Sequence, residues 1–583
     1  MNDFFQRLKQ RKLVQWAVAY VAAAFALLQG LDIVANRFDL PSQIVRLVIV
    51  AMIAGFFVVL VLAWYHGERG AQKVSGTELL IIGLVLAVGG GVLWLVAAHS
   101  AKTETKTLAT ASTPAVKAPE NSVAVLPFEN LSDEKGNEYF SDGISEELLT
   151  VLQKVPGLHV AARTSAFSFK DSKATAQEIG QKLGVANLVE GSVRKAGDEV
   201  RISARLSRAA SGEQLWSESY TRDLKDVFAV QSELAQTIVA QLRGKLGQET
   251  AAKIQATVRG GTTNPEAYEQ FLQGRYYLNR FSTDDVEKAI AFLERACELD
   301  PKFPLAWATL SAARGLYAGW TDKLTRPQFD ASLKRARAEA EHALELDPDL
   351  PEALNARFQI QFLYEFNWKG GAETIKRAQL LAPSDPMILK SAAQVAVIFG
   401  DLPRAVELAR AAVALDPVSA QVRVYLANAL FQARRPVESR AEYAHVADLN
   451  PATAWAFAGP GMISLFEGKN AQALAEAKKD TSEFARLVVS VIALWNLDRK
   501  DESNAELAIM IKDDADVGAF QIAEVYSARG DHAEAFAWLQ RARRQQDPGL
   551  AYFPKDPLLD PLRSDPRWAA FQREMGWAPD QLK

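Results

Sequence analysis

Residues 402–417 read LPRAVELARAAVALDP, an Ala/Leu-rich helical pattern that stops at Leu415-Asp416-Pro417. Proline has no N–H for the preceding turn and clashes with it, so it ends one helix and lets the next begin. Similar endings stand at Leu299-Asp300-Pro301, Leu346-Asp347-Pro348, Leu381-Ala382-Pro383 and Leu449-Asn450-Pro451. With Pro417 the prolines follow one another at 47, 35, 34 and 34 residues. Small or apolar residues recur at fixed positions before each one: Ala289/Leu293/Ala296, Ala336/Ala340/Ala343, Gly371/Ile375/Ala378, Ala405/Ala409/Ala412 and Ser439/Tyr443/Val446. Alanines at helical spacing let two helix axes approach closely. The pattern calls for successive helices, each stopped at a proline and packed closely on its neighbours.

A period of 34 with this pattern resembles the tetratricopeptide repeat, or TPR. The resemblance implies an all-α superhelix over residues 264–548, with about eight repeats, and a capping segment over 549–583. Terminal repeats need such a cap over their last apolar face. The first helix is expected over 266–279, with Leu272, Gly274 and Tyr277 facing its partner. The residues added in the 47-residue interval should extend a loop around 317–329. First helices of such a stack line a surface suited to peptides or protein segments. Candidate protein-binding residues there are Trp307, Lys390, Gln394, Arg423, Asn428 and Trp455. Arg423 and Trp455 should serve a partner without contributing much to stability. A carboxylate clamp needs a Lys/Asn pair and another Asn one repeat later. Lys390 and Gln394 followed by Tyr425 do not supply it.

At 583 residues the chain should hold several domains. A net charge of −4 gives no reason to expect nucleic acid, which usually draws a basic domain. The single cysteine, Cys297, has no partner for an intramolecular disulfide and reads as a buried structural thiol.

The N-terminal region, 1–98, reads as a membrane anchor with three transmembrane helices, about 14–35, 44–65 and 79–98. Each is about 20 residues, the length that crosses a hydrocarbon core. Arg7, Lys9, Arg11 and Lys12 before the first span favour a cytoplasmic N-terminus. Three crossings then put the remainder in the periplasm of a bacterial inner-membrane protein, with the lipid bilayer as one partner. Asp32 and Arg46 fall near span ends, where their charged heads reach interfacial water. Residues 99–121, rich in Ala, Thr, Lys and Pro, read as a flexible linker.

Between linker and repeats, short β-rich runs alternate with amphipathic helices, which implies an α/β domain over 122–248. Strands are expected at 122–128, 158–161, 187–194, 199–206 and 213–220, and helices from Ser145, over 175–183 and over 227–246. The runs SVAVLPFENLSDEKGNEYFSDGISEELL and LGVANLVEGSVRKAGDEVRISARL resemble the domain likened to the amino-terminal domain of TolB. Proteins of that type join this domain to TPRs and often carry an adenylate cyclase, a kinase or a DNA-binding domain before it. This chain has no room for such a domain in its expected cytoplasmic part.

The acids Asp142, Glu146 and Glu147 read as helix-start residues that cap free N–H groups and complement the helix dipole. The six histidines fall in unrelated segments without metal-ligand spacing, and no nucleophile-elbow motif occurs. No catalytic residue, metal or cofactor is expected. The sequence therefore predicts a non-enzymatic, membrane-anchored scaffold that captures a protein or peptide in its TPR groove. The resemblance implies an alternative, a sensory component that signals through a separate partner. The oligomeric state is not legible.

Overall fold

The computed structural model describes residues 118–132, 137–197, 199–243, 261–280, 283–320, 324–552 and 554–582. Residues 118–583 form one compact unit. It begins with a sheet of β1 (Ser122–Val125), β2 (Glu129–Asn130), β3 (His159–Val160), β4 (Asn187–Ala196), β5 (Glu199–Arg208) and β6 (Gln214–Asp223). The strands lie in the order β3-β1-β4-β5-β6, with β2 also paired to β4. β1 runs parallel to β3 and β4, while β4, β5 and β6 form antiparallel hairpins. Gly197 turns the first hairpin at φ +60, a left-handed conformation that glycine adopts without a Cβ clash.

Alternation sorts the two faces of the sheet. Ala124, Leu126 and Leu188 pack with Ile179 and Leu183 of the Ala176–Leu183 helix. Val123, Val125, Val189, Val200 and Ile202 turn the other way, toward the helices Glu138–Gln153 and Val227–Arg243. That second core does not end with the α/β layer. Tyr268, Phe271, Leu272, Leu293, Cys297 and Phe303 of the first array helices belong to the same cluster. Sheet and array share a core at this end.

Sixteen described helices then run as eight antiparallel pairs, from Pro265–Leu278 with Thr283–Leu299 to Ala519–Ala528 with His532–Gln545. Helices end at Leu299, Leu346, Leu381, Leu415 and Leu449, each just before a proline of the comb. Ala289, Ala296, Ala336, Ala340, Ala343, Ala378, Ala405 and Ala412 are all fully buried, as close helix contacts require. A Cβ on Gly274 would lie 2.6 Å from Leu293 Cγ of the paired helix, so only glycine permits this approach.

After Gln545 the chain folds back on earlier repeats. Gln546 Nε2 donates to Tyr364 O at 2.7 Å, and Arg434 pairs with Asp560 at 2.6 Å. The indole N–H of Trp368 donates to Met575 O. Phe571 and Trp577 join a core that extends back to Ala318. The closing residues thus cover an apolar face in mid-array as well as the last pair.

Four expectations need correction. The segments 14–35, 44–65 and 79–98 lie outside the described residues, and among the described residues no helix is long and apolar enough to cross a membrane. The longest described helix, Arg326–Leu346, carries charges on every turn. The described residues thus give no support to the three-helix anchor or to the multi-pass inner-membrane placement with periplasmic repeats. They form a mostly helical TPR-like array with a small sheet region.

The added residues of the long interval are mainly helical, not looped. They lengthen Pro304–Trp320 and Arg326–Leu346, the latter started by a Thr325/Gln328 capping box. The first helix of the α/β layer begins at Glu138, not Ser145. Phe140 and Ile144 are buried in the core, so packing keeps the Asn/Asp/Ser/Gly-rich run helical against its propensity. Leu272 sits against Gly143 of that helix, where an added Cβ would lie 2.6 Å from Leu272 Cδ2. It was expected to face its own repeat.

Candidate partner-binding site

The early start of Glu138–Gln153 changes the role of its acids. Asp142, Glu146 and Glu147 lie well inside the helix and cap nothing. Asp142 accepts from Lys170 at 2.8 and 2.9 Å. Glu146 pairs with Arg163 at 2.8 Å and with Arg275, and accepts from Asn279. Glu147 accepts from Tyr268 Oη at 3.0 Å and from Gln231 at 2.6 Å. Burial pushes the Glu146 carboxyl up, but Arg275 and Arg163 outweigh it and hold the group below the usual range. Burial prevails at Glu147, whose carboxyl is raised. Glu146 and Glu147 form a joint that fastens the α/β layer to the first array helix, while Asp142 is tied to Lys170 within the layer.

The joint continues along the proline comb. Lys154 pairs with Glu352 at 3.0 Å, and Ser384 Oγ donates to Leu158 O at 2.7 Å. Leu415 O accepts from Ala162 N at 2.7 Å. Three successive inter-repeat turns therefore hold the β3 end of the α/β layer.

The six sequence-selected residues fall into three groups. Trp307 and Arg423 are engaged locally. Trp307 donates to Pro301 O at 3.0 Å and meets His342 edge to face. Arg423 pairs with Glu442 at 2.8 Å and donates to Pro417 O. Both contacts contribute to the array itself, contrary to the expectation that Arg423 leaves stability alone.

Lys390 and Gln394 stand one turn apart on Pro386–Ile398, the first helix of a central pair. Lys390 is only 8% exposed and Gln394 1%. Neither polar atom of Gln394 has a hydrogen-bond partner. Burial alone pushes the Lys390 ammonium down to about 8. Buried polar groups without partners are uncommon and costly in folded proteins.

Asn428 and Trp455 meet in one pocket. Its other walls are Phe431, Tyr443, Gly459, Met462, Gln521, Glu524 and Asp556, around a cavity of about 20 Å³. Asn428 and Phe431 come from Ala420–Gln432, and Tyr443 from Pro436–Leu449. Gln521 and Glu524 come from Ala519–Ala528, while Asp556 leads into a 3₁₀ turn. Fold-back thus brings residues of distant repeats to one place. The Tyr443 hydroxyl donates to Asn428 Oδ1, and a Cβ on Gly459 would run into the Tyr443 ring. Trp455 holds φ at +71, a conformation non-glycine residues adopt when surrounding structure imposes it. Half-buried, it packs on the array core, so it too bears on stability.

Glu524 and Asp556 were not singled out in the sequence. The available signal was a pair of polar side chains, Gln521 and Glu524, three apart in the otherwise apolar run AFQIAEVYSA. Such a pair on a buried helix face asks for a partner.

The family description "Tetratricopeptide repeat" matches residues 280–303. The array is of the tetratricopeptide type. The chain is also 40% identical over 190 residues to "Putative adenylate cyclase 3" of Rhizobium meliloti (strain 1021). That match spans 33% of this chain and about a third, 32%, of the relative's length. Among solved structures it is similar to YrrB, described as a TPR protein with an unusual peptide-binding site, at 17% identity and a TM-score of 0.26. That match covers 36% of this chain and 97% of YrrB. It is also similar to yeast Tom70, at 13% identity and a TM-score of 0.34, over 60% of this chain and 82% of Tom70.

Proposed function

We propose that this chain is a non-enzymatic scaffold whose TPR array captures a protein or peptide partner. The observation that carries the reading is the buried pair Lys390 and Gln394 on a first helix of a central repeat, where neither amide atom of Gln394 has a hydrogen-bond partner and burial lowers the Lys390 ammonium. A partner that supplies acceptors and donors there removes a cost the free protein bears. The α/β layer, which resembles the TolB amino-terminal domain over 122–246, acts in this reading as a brace, because its joint holds three inter-repeat turns. Crosslinking with mass spectrometry, on the full chain in its native cells, tests the proposal. The wild type should recover a defined partner that K390M/Q394L loses. Equal recovery by both would remove the array face from the account.

The match to an adenylate cyclase relative favours a second reading, in which the chain regulates a separate signalling enzyme. Deleting its gene should then change cellular cyclic AMP, while the purified chain makes none from ATP. Turnover by the purified chain would overturn both readings.

A further inference from the structure

We propose that the pocket between Asn428, Trp455, Glu524 and Asp556 receives the ammonium group of a lysine side chain presented by the partner. The inference rests on the scaffold reading and names the chemistry of one contact within it. Glu524 is 2% exposed and Asp556 1%, so two carboxyl groups share a nearly dry space. Asp556 uses one oxygen to accept from Leu558 N. Glu524 Oε1 has no partner at all. A buried carboxyl of this kind is costly to leave unpaired, and an entering cation offsets that cost.

The neighbouring cations do not fill the role. Arg434 and Arg563 both reach Asp560, at 2.6 and 2.8 Å. The remaining walls suit a cation as well. Phe431, Tyr443 and Trp455 offer aromatic rings, whose faces attract positive charge, and Met462 adds a polarisable side. Two acids beside these rings disfavour an anion.

Size selects among cations. The cavity, at about 20 Å³, is small and has room for a group of about the size of water. A primary ammonium fits that space, whereas a planar guanidinium needs the walls to move apart. Trp455, at its enforced φ, sits among the rings that would meet the incoming group.

Protonation adds a second readout. Burial pushes Glu524 well above the usual carboxylate range, with Asp556 and Asp547 adding to it. Asp556 is pushed up to about 7 by burial, against its contact with Leu558 N and the nearby Arg434 and Arg563, while Asp560 raises it further. An ammonium therefore displaces a proton, and its binding should strengthen as pH rises from 6 to 8.

The test uses the full chain and labelled glycine–serine peptides with one central lysine, norleucine or arginine, followed by fluorescence anisotropy. The lysine peptide should bind at least tenfold more tightly than the norleucine peptide, and E524Q should abolish that difference without lowering the melting temperature. A second variant, Q521K, places a tethered ammonium beside Glu524. It should raise the melting temperature and block the lysine peptide. Equal binding of lysine and norleucine peptides, or a lysine preference that survives in E524Q, overturns the inference. Arginine binding as tight as lysine would overturn the size argument and with it the assignment. Loss of partner recovery in K390M/Q394L tests the scaffold reading separately, because Lys390 and Gln394 do not line this pocket.

Discussion

Ser165 Oγ donates to the carboxylate of Asp416 at 2.7 Å, although 251 residues separate them. Asp416 belongs to the Leu415-Asp416-Pro417 ending of the repeat comb, and Ser165 to the short helix Arg163–Phe167 after β3. Both are buried. The turn that ends a repeat helix therefore also binds the α/β layer. Ser165 Oγ accepts in turn from Val418 N at 3.2 Å, so one hydroxyl serves both sides of the proline.

Removing that hydroxyl should cost more than a surface bond does. S165A leaves a buried carboxylate short of a donor, a loss of roughly 1–3 kcal/mol. Urea unfolding of S165A, D416N and the double variant should give a coupling of about 0.5–3 kcal/mol. A coupling near zero would mean that the contact does not form in solution.

The Arg275 joint predicts a larger effect. R275M takes from Glu146 one of its two cations and from Glu147 its nearby cation in the shared core, and breaking a buried pair from one side costs up to roughly 3–5 kcal/mol. E146M/R275M removes the main charge pair together and should be markedly less destabilised than R275M alone. Equal losses in the two variants would show that packing by Arg275, and not its charge, carries the joint.

Lys390 makes a signed pH prediction. Its folded pKa, about 8, lies below the ordinary lysine value. Between those values the unfolded chain binds the extra proton, so stability should rise with pH across that window. The penalty is fully present below the folded pKa, at neutral pH. K390M should therefore stabilise at pH 7 by roughly 1–3 kcal/mol, and its advantage should fade as pH climbs through 8 to 10.5. Thermal melts at pH 7 and pH 10 separate this from a pH-independent packing gain.

Asp547 makes the opposite one. It accepts from Phe520 N and Gly549 N, yet burial pushes its carboxyl up to about 6. A carboxyl raised on folding binds its proton more tightly in the native state. Its contribution is fully present below the unfolded value, near 4, and is lost as pH rises through about 6. The wild type should gain stability between pH 7 and pH 5, and D547N should lose about one proton's worth of that slope. An unchanged slope in D547N would assign the effect to other acids.

These residues also mark where sequence reading stopped. The comb was legible because helix termination is local: each proline acts on the turn just before it. Buried alanines followed from spacing alone, since any paired helices need small residues at their contact. Glu146 and Glu147 were misread because their partners lie far off in sequence. Asn279, for one, stands 133 positions from Glu146. Local chemistry offered capping as a sufficient account, and only the fold brings Arg275 to them. The pocket was half legible. Asn428 and Trp455 stood out as groove residues, but Glu524 and Asp556 reach them through the fold-back of the last repeats. No periodicity encodes that closure.

Two helical glycines should respond to alanine with opposite signs. Gly274 lies in Pro265–Leu278 and Gly315 in Pro304–Trp320. On propensity alone, alanine stabilises a helix interior by about 1 kcal/mol at either position. A Cβ at Gly315 meets nothing within 4 Å, so G315A should realise that gain. At Gly274 the Cβ would stand 2.6 Å from Leu293 Cγ and 2.9 Å from its Cδ2. Leu293 is fully buried in the core shared with the α/β layer, which leaves it little freedom to withdraw. Overpacking of this kind costs roughly 1–3 kcal/mol, enough to reverse the propensity gain. Denaturant midpoints should therefore rise for G315A and fall for G274A. If G274A also rises, the first helix pair is packed more loosely than its glycine implies.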